Sequence, residues 1–328
     1  MSFDNIKLEK GLYASSKGFT KALEELDPSE NYVGTELEGL DAYQRQLKRF
    51  DIKVSGIGSD TVSKFFATTD SAALFPEYVS RAVRQGLDDA DVLNKIVAST
   101  TVIDSLDYRA IESAPTDNDK ELSDVAEGAF IPETVIRTKE TLTPLKKRGR
   151  MLVASYEALK YQKLDLFTIT LKQIGSYIAK CQLSDALATI YDDDIKTIAA
   201  AGEKITYNDM VNLWNEFYPY KLTTIIAGNS VIADMLKLSE FRDANAGLDF
   251  HGTGKMITPF GAELVKAPIL DEHLVIGVDK SCAVEKVQAG DIVTDYDKLI
   301  DRQLERATIT TISGFSKIFN DATRALSL

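Results

Sequence analysis

The sequence predicts an α+β fold organised around one long helix. Residues 165–191 contain neither Pro nor a turn cluster, and their apolar side chains recur every three or four residues, as on one face of a helix. Residues 192–290 alternate helical and strand patterns, and residues 304–318 alternate polar and apolar side chains as a half-buried strand does. The apolar stripe of the long helix consists of Phe167, Leu171, Ile174, Ile178 and Cys181.

The composition is that of a soluble globular protein, because 44% of the 328 residues are hydrophobic and 27% are charged. This length is sufficient for two domains or for one elaborated domain. No run approaches 18 consecutive apolar residues and the first residues lack the apolar stretch of a signal peptide, so neither a membrane span nor a leader is expected. Cys181 and Cys282 lie far apart, which argues against a disulfide framework and against a zinc site.

The net charge of −12 argues against a dedicated nucleic-acid reader, because such proteins use basic surfaces to neutralise phosphates. A surface that lies near nucleic acid without binding it tightly remains compatible with this charge.

Residues 1–64 differ from the rest of the chain. They hold two short helical patterns, at 17–26 and 36–50, separated by the turn-rich stretch DPSENYVG. Neither pattern is long enough for a stable isolated helix. We interpret this region as an extended arm that packs on a neighbour, and an ordinary N-terminal helical subdomain fits the pattern equally well.

The next elements are a short helix and a strand-rich segment. Residues 75–87 are predicted to be helical, with Pro76 in the first turn and Gly86 as the C-terminal cap. Residues 92–106 are rich in Val, Ile, Ser and Thr, which favours strands.

Residues 112–150 predict a long charged excursion of two extended limbs. The first limb is acidic and the second carries a basic cluster, and a lone hairpin of this kind is only marginally stable in water. It is therefore expected to lie on another surface, although a solvated charged loop is an equally simple reading. The acidic residues are Asp117, Asp119, Glu121, Asp124 and Glu127, and the basic ones are Lys146, Lys147, Arg148 and Arg150.

The region 192–290 predicts a compact α/β domain. Its first helix is expected over 206–217, with Thr206 as N-cap and Asp209 at the capping-box position. A buried strand is expected over 221–227, followed by a helix over 231–238 that Asn229 or Ser230 caps. The strand at 304–318 is expected to pair far back in the sequence, near 92–106.

The sequence contains no recognisable set of catalytic, cofactor-binding or metal-binding residues. His251 and His273 lack triad or metal-ligand spacing, and the Gly-Thr-Gly-Lys run that begins at Gly252 departs from the phosphate-loop pattern. The run 192–194 of three Asp residues lacks calcium-loop spacing. We therefore expect no cofactor, no metal and no enzymatic activity, and interpret the chain as a building block whose arm, excursion and long helix all require partners.

Three segments resemble the major capsid proteins of tailed bacteriophages, which have the HK97 fold. They are AEGAFIPE (126–133), similar to a turn in the family's E-loop; KKRGRMLVASYEAL (146–159), similar to the limb that returns from this loop; and 164–190, similar to the spine helix with an acidic residue, Asp185, near its end. Each motif is degenerate, and their order and spacing along the chain carry the resemblance.

The resemblance implies an HK97-like organisation of the chain. The implied segments are an N-terminal arm (1–64), the first part of the P-domain (65–111), the E-loop (112–150), the P-domain spine helix (151–194), the A-domain (195–290) and the returning P-domain strand with the C-terminus (291–328). The opposite charges of the excursion are expected to pair across subunits and to fix their orientation. The resemblance implies that an A-domain loop faces the five- or six-fold axis. The residues implied for that loop are Gly247, His251, Gly252 and Gly254.

The resemblance also implies the partners and the location of the protein. The chain would assemble with itself into pentamers and hexamers of an icosahedral shell, through a procapsid, in the bacterial host cytoplasm, and become part of the virion. Its further partners would be a separate scaffolding protein, a portal protein and packaged double-stranded DNA held nonspecifically, with no membrane. Two alternatives are an encapsulin nanocompartment, which has the same fold and usually a shorter arm, and a soluble α/β enzyme acting on a small ligand in 192–290.

Overall fold

The computed structural model describes residues 3–14, 18–112, 124–131, 137–242 and 256–328. The described residues form the helices α1 (Phe19–Leu26), α2 (Ala42–Arg49), α3 (Thr69–Ala72), α4 (Phe75–Ala90), α5 (Tyr156–Tyr161), α6 (Leu164–Ile190), α7 (Tyr207–Asn215), α8 (Asn229–Met235) and α9 (Ser239–Arg242). Their strands are β1 (Ser99–Ile103), β2 (Ile111–Glu112), β3 (Arg137–Thr138), β4 (Lys146–Ser155), β5 (Lys196–Ala199), β6 (Thr224–Ala227), β7 (Glu263–Lys266), β8 (Leu274–Val278), β9 (Val284–Ala289), β10 (Val293–Leu299), β11 (Leu304–Lys317) and β12 (Thr323–Ser327). The mixed α+β class is as the sequence predicts.

The chain divides into two compact units. Unit 1 comprises Met1–Ala90, Arg148–Ala179 and Ile292–Thr311, and unit 2 comprises Asp91–Lys147, Lys180–Asp291 and Ile312–Leu328. The first residues of α6 thus belong to unit 1 and its last residues to unit 2. The six segment boundaries drawn from the resemblance remain predictions.

Unit 1 is built on a core to which the N-terminal region contributes directly. Phe19 and Leu23 of α1 and Tyr43 and Leu47 of α2 are buried, because both helices are amphipathic and turn their apolar faces inward. The same core contains buried side chains from α4, from α6 and from β11, namely Phe75, Tyr78, Val79, Val83, Leu164, Leu171, Ile174, Ile178 and Ile309. These helices thus pack within their own unit, as in the alternative of an N-terminal helical subdomain, and the assignment of 1–64 as an arm that reaches a neighbouring subunit remains a prediction.

Two glycines allow α4 and α6 to touch backbone to backbone within unit 1. A Cβ on Gly86 would lie 2.1 Å from the carbonyl oxygen of Lys172, and one on Gly175 would lie 2.0 Å from that of Val83. The prediction that Gly86 caps its helix is wrong, because α4 continues to Ala90 and Gly86 is needed for this close contact. The prediction for the long helix is confirmed, since α6 begins and ends within one residue of the predicted range.

Unit 2 contains a five-stranded sheet of order β5-β12-β8-β6-β7. The strand β6 is fully buried, and α7 begins at the predicted N-cap, where Thr206 and Asp209 form a complete capping box. The prediction that Asn229 or Ser230 caps the following helix is wrong, because α8 begins at Asn229 and Gly228 occupies the N-cap without a side-chain hydrogen bond.

The strand pairing of β11 differs from the prediction. In unit 1 its first residues pair antiparallel with β10, and in unit 2 its last residues pair antiparallel with β9. The segment 92–106 contains one strand, β1, which pairs in parallel with β9 and not with β11. The predicted pairing is wrong by one strand, because β9 occupies the intervening position. Among the described residues, no helix is long and apolar enough to cross a membrane.

Candidate subunit interface

The two limbs of the charged excursion pair with each other at their base within unit 2. Ile111 of β2 lies opposite Thr138 of β3 in an antiparallel register. Below this pair, the backbone N–H of Lys139 donates to the carbonyl oxygen of Ala110 at 2.9 Å. Thr143 closes the base by donating to the Tyr108 carbonyl, also at 2.9 Å. The root of the excursion is therefore a hydrogen-bonded pair of segments, 108–112 of the first limb and 137–143 of the second.

The first limb is held to β9 through a buried carboxylate. The Tyr108 hydroxyl donates to Oε1 of Glu285 at 2.7 Å, and the Thr101 hydroxyl donates to the same oxygen. Glu285 is 7% exposed, so these hydrogen bonds replace the water molecules that its carboxylate would otherwise bind. Burial, and then the neighbouring carboxylate of Glu285, raise the pKa of Tyr108, so the phenol stays protonated and acts as a donor at neutral pH.

The second limb is held to the end of β11. The Lys139 ammonium group donates to the carbonyl oxygen of Lys317 at 2.8 Å and contacts the Ser316 hydroxyl at 3.2 Å. At Gly314 the returning chain lies directly on the strand, since a Cβ there would be 2.5 Å from the carbonyl oxygen of Pro144. This contact needs a residue without a side chain, which explains a glycine inside a strand.

Three lysines bind polar groups on the last part of α6 and just after its end. Lys146, where the returning limb enters β4, pairs with Asp185 at 2.8 Å. Lys286 of β9 donates to Gln182 at 3.2 Å, and Lys317 of β11 pairs with Asp192. Asp185, the acidic residue that the resemblance singled out, thus contacts Lys146 at the root of the excursion within one chain.

Large apolar side chains lie exposed on the described part of the excursion. Phe130 is 97% exposed and Ile131 74% exposed, and Val125 is 44% exposed. Exposed apolar groups of this size, grouped on one segment, are typical of protein–protein contacts. The sequence analysis placed Phe130 and Ile131 in the AEGAFIPE motif but did not identify them as contact residues, although two large apolar side chains between polar stretches were a usable signal.

The predicted charged residues of the excursion fall into three groups. Asp124 and Glu127 are exposed on the same segment as Phe130. Lys147 and Arg150 are exposed, and Arg148 is partly buried. Asp117, Asp119 and Glu121 lie outside the described residues. Among the described residues, no ion pair joins Lys147 or Arg150 to an acidic side chain of this chain.

Within unit 1, the apolar stripe of α6 is its buried face, and the helix also has an exposed face. Leu171, Ile174 and Ile178 are buried, and Phe167 is partly buried against the same core. On the opposite face Leu166, Ile169 and Tyr177 are each more than half exposed. Such apolar groups on the outer face of a long helix are again typical of a surface that contacts another protein.

The remaining candidate positions form no catalytic or metal-binding cluster among the described residues. Gly247, His251, Gly252 and Gly254 lie outside the described residues. His273 is exposed at a turn before β8, and no group of His, Cys, Asp or Glu in the described ranges is placed to hold a metal ion.

The chain is similar in fold to several solved shell proteins. No protein-family model matches the sequence, and no curated protein matches it. The structure matches a virus-like particle from Pyrococcus furiosus at a TM-score of 0.54 and 15% identity, over 76% of this chain and 98% of that chain. It matches a chain of Microbacterium phage Oxtober96 at 0.50 and 12% identity, over 73% and 91%. The match to the SrpI encapsulin complex of Synechococcus elongatus PCC 7942 has a TM-score of 0.50 and 10% identity, over 72% and 86%. At these identities the similarity establishes the fold: the chain has the HK97 fold, with its long helix, mixed sheets and excursion.

Proposed function

We propose that this chain is a shell subunit, and that the shell is the head of a tailed bacteriophage. The observation that carries the proposal is the excursion: its base is bonded to unit 2 at Glu285, Lys317 and Asp185, while Phe130 and Ile131 lie exposed beyond that base. A segment that is firmly held at its root and apolar further out is suited to a neighbouring copy. The HK97 fold, shared with shell proteins of both viral and cellular origin, supports the same role.

The proposal extends to the partners of such a head. Copies of the chain form pentamers and hexamers, a separate scaffolding protein guides assembly, a portal protein occupies one vertex, and double-stranded DNA is packaged. The net charge of −12 suits a container wall, because a wall that is acidic overall adheres weakly to packaged DNA. In this proposal the protein is a component of the virion, assembled in the bacterial cytoplasm, and has no catalytic role.

The second candidate is an encapsulin shell, which the similarity to the SrpI complex favours. The N-terminal region favours the phage head, because it holds two helices, α1 and α2, before α3 and is longer than the arm usual in encapsulins. Shells purified from the native source separate the two: DNA protected from nuclease inside the particle supports the phage head, and an enclosed protein cargo without DNA supports the encapsulin.

The shell proposal is tested by electron microscopy of the purified protein beside size-exclusion chromatography. Closed shells, tubes or capsomer rings are the expected result, with a co-expressed scaffold where the protein alone forms none. The double variant Phe130→Asp, Ile131→Asp is expected to fold with an unchanged unfolding temperature and to abolish assembly, because two charges replace the apolar contact. A wild-type chain that stays monomeric at high concentration, with and without a scaffold, contradicts the proposal.

A further inference from the structure

Unit 2 carries an aromatic cleft far along the chain from the excursion. The cleft encloses about 470 Å³ between the end of α7, the loop before β6 and the turn before β7. The described residues that line it are Trp214, Asn215, Tyr218, Tyr220, Lys221, Leu222, Thr223, Phe260 and Gly261. A cleft of this size is in the range that proteins use to bind ligands and short peptides.

Two aromatic side chains in the wall of the cleft are exposed to solvent. Trp214 is 50% exposed and Tyr218 is 89% exposed. Tyr220 and Phe260 are partly buried against the core beneath, so the floor is firm. Trp and Tyr are the residues that most often dominate binding energies at interfaces, because each offers a large rigid surface and one polar atom.

Three hydrogen-bond donors of the cleft are available to a ligand. The indole N–H of Trp214, the amide of Asn215 and the hydroxyl of Tyr218 have no hydrogen-bond partner among the described residues. Thr223 differs, since its hydroxyl donates to the Val278 carbonyl and accepts from the Lys280 backbone. A matching ligand therefore presents acceptors close to an apolar surface.

The charge of the cleft is opposite to that of the whole chain. Lys221 is the one charged residue among the described residues that line it, and none of them is a carboxylate. The Asp279 carboxylate accepts from the Lys221 backbone N–H at 2.8 Å but is only 4% exposed, so the charge that the cleft presents to solvent is the Lys221 ammonium group, which favours a ligand with negative groups.

We propose that this cleft binds an acidic, proline-rich segment of a partner protein in the polyproline II conformation. Such a segment has no internal hydrogen bonds, so its carbonyl oxygens are free to accept from the three donors. Its proline rings fit between aromatic side chains, as in other aromatic-lined grooves that recognise this conformation. An acidic residue of the segment pairs with Lys221. A neutral saccharide satisfies the rings and donors but leaves Lys221 without a counter-charge, which disfavours it.

The test uses Trp214, the single tryptophan of the chain, as its own reporter. The full-length protein is titrated with a synthetic peptide of four Glu-Pro-Pro repeats while the emission spectrum is followed. A saturable blue shift is expected, because the peptide removes water from the indole. A Lys-Pro-Pro peptide of equal length is expected to bind about tenfold more weakly, and a Glu-Gly-Ser peptide to produce no saturable shift.

Variants on the rim assign the response to this cleft. Lys221→Glu is expected to reverse the preference between the acidic and the basic peptide, and Tyr218→Ala to weaken binding by about tenfold. Lys237→Glu, a charge reversal at an exposed lysine of another helix end, is the matched control and is expected to change nothing. Urea midpoints equal to wild type establish that each variant is folded.

Several results overturn the proposal. They are no shift at millimolar acidic peptide, an equal response to the Glu-Gly-Ser peptide, retention of the preference in Lys221→Glu, a shift with a neutral oligosaccharide alone, or a shift that appears on concentrating the protein without any peptide. The proposal does not depend on shell formation, since peptide binding and assembly are measured separately.

Discussion

Arg45 and Asp27 form an ion pair in which neither side chain has exposed surface. The Arg45 Nε donates to the Asp27 carboxylate at 2.6 Å, Nη1 donates to both the Leu40 carbonyl and the Ser29 hydroxyl, and Nη2 donates to the Asp27 backbone carbonyl. The Arg45 Cζ lies 4.4 Å from the centre of the Tyr32 ring. A buried charge with this many partners is stable only while the partners remain.

Replacing Arg45 by Met is therefore expected to cost about 3–5 kcal/mol in free energy of unfolding, because it leaves the Asp27 carboxylate buried without a counter-charge. Urea unfolding followed by circular dichroism measures the loss. Lys237→Met, which removes an exposed pair with Asp234, is the control and is expected to cost less than about 1 kcal/mol. Equal losses in the two variants contradict a structural role for the buried pair.

Asp209 makes the stability of unit 2 sensitive to acid. Burial alone raises its pKa, but the Thr206 hydroxyl and the backbone N–H groups of Ala201 and Thr206 hydrogen-bond the carboxylate and together lower the pKa below its ordinary value. A carboxyl whose pKa is lower in the folded state contributes stability above its unfolded pKa of about 3.9, and this contribution is lost as the pH falls through the folded value.

Asp209→Asn is accordingly expected to be less stable than wild type at pH 7 and to lose less further stability between about pH 5 and pH 2. Unfolding midpoints measured across that range test the difference. Asp193→Asn, at an exposed aspartate after α6, is the matched control. Parallel profiles for wild type and Asp209→Asn show that the capping carboxylate does not contribute to acid sensitivity.

Helix–helix contact is the feature that governs stability at the scale of elements. At the crossing of α4 and α6, an alanine methyl group at Gly86 or Gly175 meets backbone carbonyl oxygens at 2.1 Å or 2.0 Å. Backbone atoms have no alternative rotamer, so the helices must separate. Each Gly→Ala change is expected to cost about 3 kcal/mol despite the gain of about 1 kcal/mol that alanine brings to a helix interior.

The measurement is the urea midpoint of Gly86→Ala and Gly175→Ala beside that of Gly202→Ala, where no atom lies within 4 Å of the added carbon. A stabilised Gly86→Ala variant means that helix propensity outweighs packing and that the two helices are free to separate.

The helices and strands were predictable from sequence only where a local pattern determines them. The range of α6 follows from its own stripe and flanks, and the Thr206 capping box from a local motif, so both were predictable. The need for Gly86 inside α4 comes from Lys172, 86 positions further on, and the pairing of β11 depends on an intervening strand, so neither leaves a local signal. Element types were therefore readable, while their partners were not.

At the scale of the whole molecule, the order of the elements predicted the HK97 fold, but the root of the excursion was not predictable. Tyr108 lies 177 positions from Glu285 and Lys139 lies 178 from Lys317, so neither contact appears as a motif. Charge composition, by contrast, was readable, and the pairing of the acidic with the basic group of the excursion remains a prediction about neighbouring copies.

This pairing suggests a charge-exchange experiment that depends on contacts between chains. Lys147 and Arg150 are exposed, as are Asp124 and Glu127. Reversing the first two to Glu places like charges against the acidic group of the neighbour, and each single pair contributes only about 0–1 kcal/mol, so subunit stability is expected to stay within about 0.5 kcal/mol of wild type. Loss of about 1.4 kcal/mol of contact energy per subunit raises the concentration needed for assembly about tenfold.

Adding Asp124→Lys and Glu127→Lys to that variant restores opposite charges with the roles exchanged, and assembly is expected to recover. Light scattering against protein concentration, at low and at high salt, measures both effects, and the difference between variants is expected to shrink at high salt because exposed charges are screened there. If the fourfold variant assembles no better than the twofold one, the two groups do not face each other across subunits. The opposite charges of the excursion then serve solubility, and the apolar residues Phe130 and Ile131 alone account for its contact with a neighbour.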